Sequence, residues 1–147
     1  MPTCRDVMTR EPVYCEPADP VTRVAELMRQ HDIGSLPVVE SGASRRLVGI
    51  VTDRDLVVKV VAGNRSVDSA SVRDAMTANP CSCGEDETVD RVLELMADRQ
   101  VRRVPVVDGE GRLTGIIAQA DVATRLQADR QTGELIEAIS EPSVVPK

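Results

Sequence analysis

The chain has 147 residues, 41% of them hydrophobic and 29% charged, with Gly 9 and Pro 9, a globular composition that excludes disordered and collagen-like classes. Acidic residues outnumber basic ones 24 to 18 for a net charge of −6, so general electrostatic affinity for nucleic acid or an anionic membrane is disfavoured. With no Trp, no Phe and one Tyr, the chain lacks stacking platforms for single strands, and its core must be aliphatic.

In chain order, Thr3-x-x-Asp6 has capping-box spacing and predicts a short helical turn. An extended segment follows at Val13 to Cys15. Asp19-Pro20 reads as an N-cap and first-turn proline, and Val21, Val24, Ala25, Leu27 and Met28 follow at helical spacing. Leu36 to Val39 and Leu47 to Thr52 read as two strands joined by a Gly-containing turn, and a final helix starts near Asp53. That helix contains Leu56-Val-Val-Lys-Val-Val-Ala, the longest apolar stretch. It is interrupted by Lys59 and falls far short of the roughly 20 residues that span a bilayer. Charges in the first residues argue against a signal peptide. The expectation is a cytoplasmic protein with neither a membrane nor a nucleic-acid partner.

Sliding the chain against itself by about 68 positions repeats this order. Arg5-Asp6-x-Met8-Thr9-x-x-Pro12 falls on Arg73-Asp74-x-Met76-Thr77-x-x-Pro80, Val21 to Met28 on Val89 to Met96, and Pro37-Val-Val on Pro105-Val-Val. About 15 of the 35 positions from Arg5 to Val39 are identical. After a two-residue deletion in the turn, Leu47-Val-Gly-Ile falls on Leu113-Thr-Gly-Ile and Asp55 on Asp121. The units are 1–65 and 66–128, with a polar linker at Gly63 to Ala70 and a tail at 129–147. Each reads βαββα. The repeat decides that the valine-rich segment is helical, because its partner from Asp121 is plainly so.

The paired Arg-Asp-x-Met-Thr starts, the Leu/Val-Pro-Val-Val strands and Gly49-Ile-Val-Thr-Asp-Arg-Asp55 resemble the tandem cystathionine-beta-synthase (CBS) domain pair, or Bateman module, over about residues 3 to 128. The resemblance implies a mixed α/β (α+β) fold of two pseudo-twofold βαββα repeats packed through their sheets, without a catalytic domain. It implies clefts between the repeats that bind AMP, ADP, ATP, S-adenosylmethionine or NAD as a regulatory ligand, with no obligatory cofactor. It also implies a homodimer that passes occupancy to a regulated protein.

At the start of the last helix of the first repeat, unpaired N–H groups and the macrodipole favour a phosphate. Thr52 at the N-cap can bond the backbone or a phosphate oxygen, Asp55 can accept both ribose hydroxyls, and Arg54 is the nearest cation. The same Thr-x-x-Asp spacing is also an ordinary capping box that binds nothing. Repeat 2 has Ala118 in place of Thr52 but keeps Asp121, and Arg102-Arg103 precede its Val-Pro, where the family places phosphate-contacting cations. On the resemblance, the first cleft combines Thr52, Arg54 and Asp55 with base contacts from Thr77, Cys81 and Val101. The second combines Asp121, Arg102 and Arg103 with Thr9, Val13 and Ile33. Loss of Asp55 is expected to cost more binding than loss of Asp121.

Cys15 and Cys83 are repeat-equivalent, which suits a packing role, whereas Cys-x-Cys at 81 to 83 is not zinc-knuckle spacing. If the two first strands met, Cys15 with Cys81 or Cys83 would form a thiol redox or metal sensor, and a ligand-free interaction scaffold is a further alternative. His31, the only histidine, reads as a complement to a helix C-terminus, Glu85-Asp86-Glu87 as a solvated loop. No nucleophile has a paired base, so catalysis has no support. Leu56, Val57, Val60 and Val61, with Val122 and Leu126, are expected to cover a C2 dimer contact with Lys59 at its rim.

Overall fold

The computed structural model describes residues 2–125 and 127. Leu126 and the 129–147 tail lie outside the described residues. The first repeat runs α1 (Cys4–Val7), β1 (Thr9–Arg10), α2 (Val21–His31), β2 (Ser35–Val39), β3 (Leu47–Thr52) and α3 (Asp53–Asp55), which continues as a π-helix at Leu56–Val61. The second runs α4 (Val72–Ala75), β4 (Thr77–Ala78), β5 (Cys83–Gly84), α5 (Val89–Arg99), β6 (Arg103–Val107) and β7 (Leu113–Ala118), followed by helix at 119–125.

The short helices begin where the capping residues stand. The Thr3 N–H donates to the Asp6 carboxylate at 2.9 Å and the Ser71 N–H to Asp74 at 3.0 Å, satisfying groups that a helix start leaves open. Helix α2 begins one residue later than expected. Pro20 is its N-cap, and the Asp19 carboxylate instead accepts from the Glu16 N–H at 2.9 Å. Both long helices end on a non-glycine residue in the left-handed region, Asp32 (φ 52) and Gln100 (φ 55). The Ile33 N–H then returns to the Met28 carbonyl and that of Val101 to Met96, both at 3.0 Å, which turns the chain sharply into β2 and β6.

Two sheets form, β2-β3-β4 and β1-β7-β6-β5. Strand β1 of the first repeat pairs with β7 of the second, and β4 of the second pairs with β3 of the first. Each repeat thus lends its opening segment to the other. Val72 and Ala75 of α4 are buried in a core with Val24, Leu36, Val38 and Val51, whereas Cys4 and Val7 of α1 are buried with Val92, Val104, Val106 and Ile117. Four-residue helices have no independent stability and must dock somewhere. Gly49 and Gly115 make the docking sterically possible. A Cβ on Gly49 would stand 2.9 Å from the Thr77 carbonyl oxygen, and one on Gly115 would stand 3.0 Å from that of Thr9. The extended segment expected at Val13 to Cys15 is reduced to a parallel bridge of Cys15 with Val38, and only its counterpart forms a strand, β5.

The helix after Thr52 corrects the expected dimer face. The Ala62 N–H bonds the Val57 carbonyl, five residues back, at 2.8 Å, and in this wider turn Val57 and Val61 point out as expected whereas Val60 does not. Val60 is buried, as is Val122, and Leu56 packs partly against the first core. Val57 (58% exposed), Val58 and Val61 (62%) are the exposed residues. Lys59 keeps a 40% exposed side chain, and its ammonium bonds the Ala75 carbonyl at 3.1 Å and pairs with Asp55 at 3.4 Å.

Candidate functional site

Two clefts lie between the repeats, and the turns after α2 and α5 build their shared side. The first, of about 540 Å³, is lined by Gly34, Ser35, Thr52, Asp53, Arg54, Gln100, Val101, Arg102 and Arg103. Of the residues named from sequence, it brings together Thr52, Arg54 and Val101. Arg102, expected in the second cleft, lies here. Asp55, Thr77 and Cys81 do not line it.

The capping box is formed in full. The Asp55 N–H donates to Thr52 Oγ1 at 3.0 Å, and the Thr52 N–H donates to Asp55 Oδ2 at 2.9 Å. The other Asp55 oxygen faces Lys59, so both of its carboxylate oxygens have partners within the chain. Thr52 accepts through its oxygen and keeps its hydroxyl proton to donate. Capping and a ligand contact are therefore compatible at Thr52.

The second cleft, of about 330 Å³, is lined among others by Thr9, Val13, Ile33, Arg103 and Asp121. The strand exchange brings Thr9 there, since β1 lies beside β7. Asp121 and Arg103 make no side-chain hydrogen bond or ion pair among the described residues, and apolar walls come from Val13, Ile33, Ile116 and Ala118. Of the polar residues that line this cleft, sequence reasoning missed two. His31 ends α2 and also faces this cleft, and Ser35 lines both clefts. Their signal was position, one turn before the Pro-Val-Val strand, where the second repeat has Arg99 and Arg103.

The thiols are arranged differently from the rival reading. Cys15 belongs to one core and Cys83 to the other, so the two do not meet. Cys83 instead touches Cys4, with sulfurs 3.4 Å apart. Burial pushes the Cys15 thiol up to about 12 and raises Cys4, Cys81 and Cys83 as well, which suppresses the reactive thiolate. Among the described residues no three His, Cys, Asp or Glu side chains cluster as metal donors. The acidic loop is likewise not simply solvated, because Arg5 pairs with Glu85 at 2.9 Å and Asp86 at 2.8 Å. Among the described residues no helix is long and apolar enough to cross a membrane.

The CBS domain family model matches residues 4–62 and 72–128. Uncharacterized protein YlbB of Bacillus subtilis is 40% identical over 141 residues, spanning 96% of this chain and 93% of its own length. Hypoxic response protein 1 of Mycobacterium tuberculosis is 34% identical over 142 residues, 97% of this chain and 96% of that one. Among solved structures, Hypoxic Response Protein I with two coordinated zinc ions has a TM-score of 0.76 at 34% identity, covering 84% of this chain and 98% of the other. The CBS domain pair of MJ0100, in complex with 5'-methylthioadenosine and S-adenosyl-L-methionine, has a TM-score of 0.76 at 28% identity over 88% and 98% of the two chains. CBSX2 in complex with AMP has a TM-score of 0.75 at 25% identity over 86% and 98%. With two matched repeats, two exchanged sheets and paired inter-repeat clefts, this chain belongs to the CBS domain family.

Proposed function

We propose that this chain is a non-enzymatic, cytoplasmic regulatory module that binds an adenosine-containing ligand between its repeats and signals occupancy through a change of shape in a homodimer. The observation that carries this reading is the second cleft, where Thr9, Val13, Ile33, Arg103 and Asp121 line one cavity. Asp121 offers two carboxylate oxygens to the two ribose hydroxyls. Val13, Ile33 and Ile116 enclose the base, and Arg103 presents a planar fork to a phosphate. The volume falls within the range of small-molecule sites. At the first cleft, Thr52, Arg54 and Arg102 are assigned to phosphate and Val101 to the base. The AMP and S-adenosylmethionine complexes of CBSX2 and MJ0100 support a ligand of this class. Exposed Val57, Val58, Val61 and Val67 form the apolar face assigned to the homodimer.

The test is a thermal-shift screen of AMP, ADP, ATP, NAD, NADH and S-adenosylmethionine, with calorimetry on any hit. A ligand at 100 times its Kd stabilises by about 2.7 kcal/mol. A panel that gives neither a shift nor binding heat overturns the reading.

A further inference from the structure

The two clefts share a wall. Ser35 and Arg103 stand at equivalent places in the repeats, each the first residue of its strand, β2 or β6, and each lines both cavities. Ser35 is only 8% exposed, yet its hydroxyl oxygen has no hydrogen-bond partner among the described residues. A buried hydroxyl left unpaired is costly and calls for an explanation. Here the residue that carries the hydroxyl lines both cavities. Across the sheets Ser35 pairs with Thr52, whereas Arg103 pairs with Ala118. The first cleft thus has Thr52 in its lining beside Ser35, and the second has Ala118 beside Arg103.

The charges are divided unevenly. The first cleft has Arg54 and Arg102 besides Arg103, against Asp53. The second has Arg103 against Asp121. A guanidinium fork grips one phosphate face at a time. Two dianions drawn to one guanidinium also repel each other, with a screening length of about 8 Å.

We propose that Ser35 and Arg103 form a single anion anchor shared by both clefts, so that a phosphate monoester bound in one weakens the binding of a second phosphate monoester in the other. This rests on the nucleotide reading of the clefts and adds a rule of occupancy to it. A neutral nucleoside does not call on the anchor and escapes the rule. By reciprocity the weakening is equal whichever cleft fills first.

Calorimetric titration of the full chain with AMP and with adenosine tests the anchor. The expected result is two adenosine molecules per chain, and a second AMP that binds about tenfold more weakly than the adenosine steps predict, or not at all. Arg103→Met removes that extra gap. Ser35→Ala keeps or raises the melting temperature of the free protein, since it removes an unpaired group, but lowers AMP affinity. Equal stoichiometry and equally spaced steps for AMP and adenosine overturn the anchor and leave the nucleotide reading intact, as does an AMP gap that survives Arg103→Met. Failure of both ligands to bind overturns the nucleotide reading and the anchor with it.

Discussion

The ammonium group of Lys59 donates to the carbonyl oxygen of Ala75 at 3.1 Å, tying the π-helix of the first repeat to the last turn of α4 from the second. Arg125, its counterpart, donates to the Asp6 carbonyl in α1 at 2.8 Å. A cation thus caps the C-terminal end of each exchanged helix, where open carbonyls and the helix dipole favour it. Lys59→Met, which keeps the packed stem, is expected to lower unfolding free energy by about 1 kcal/mol. Urea denaturation measures this, and an unchanged midpoint would show that the hydrogen bond adds nothing.

The exchanged strands approach their hosts through glycine. Gly49→Ala should cost about 1–3 kcal/mol, because the new methyl meets the Thr77 backbone oxygen at 2.9 Å and Met76 Sδ at 3.0 Å. Gly84→Ala is the control, since nothing lies within 4 Å of its Cβ position. Comparable losses in the two variants, by thermal melting, would count against the close-approach explanation.

Asp121 and Asp55 should separate binding from stability. Asp121→Asn is expected to weaken an adenosine ligand about tenfold, the loss of roughly one charge-assisted hydrogen bond, without moving the melting temperature of the free protein. Asp55→Asn should instead remove about 1 kcal/mol of stability through the cap and the Lys59 pair, with a smaller effect on binding. Calorimetry and melting on both variants decide the matter, and the reverse pattern would return the principal ribose contact to Asp55.

Cys15 predicts an alkaline limit. Burial raises its thiol from the ordinary 9.0 to about 12, so between these values the folded state holds a proton that the unfolded chain has released. Stability linked to this group is complete below pH 9 and falls as pH rises toward 12. Replacing Cys15 by Ala should flatten the decline above pH 9, measured by chemical denaturation across pH. An unchanged slope would show that Cys15 does not govern it.

The dimer assignment keeps Val57 and Val61, adds Val58 and drops Val60. Val57→Asp or Val61→Asp should shift a wild-type dimer toward monomer in sedimentation at tens of micromolar, with the fold retained, because both side chains are more than half exposed. Val60→Asp should unfold the chain, since Val60 is 1% exposed within the first core. A wild type that sediments as a monomer would remove the dimer from the proposed mechanism.

Local patterns made much of this molecule legible from sequence. The capping residues at Thr3, Thr52 and Ser71, the helical spacing from Val21 to Met28 and the Pro-Val-Val strands depend on neighbours a few residues away, and all formed as expected. The repeat carried these assignments across the weak propensity of Leu56 to Val61, and the family pattern named five residues that now line one cleft. Tertiary structure decided what depends on distant partners. Strands of two residues, Thr9–Arg10 and Thr77–Ala78, have no periodicity, and only the space above Gly115 and Gly49 assigns each to the opposite repeat. That exchange brings Cys4 to Cys83, gives Lys59 the Ala75 carbonyl as a partner, and places Ser35 and Arg103 on one wall between two cavities. Side-chain periodicity marks which face of an element is apolar, but the surface that covers it is set by how the elements pack.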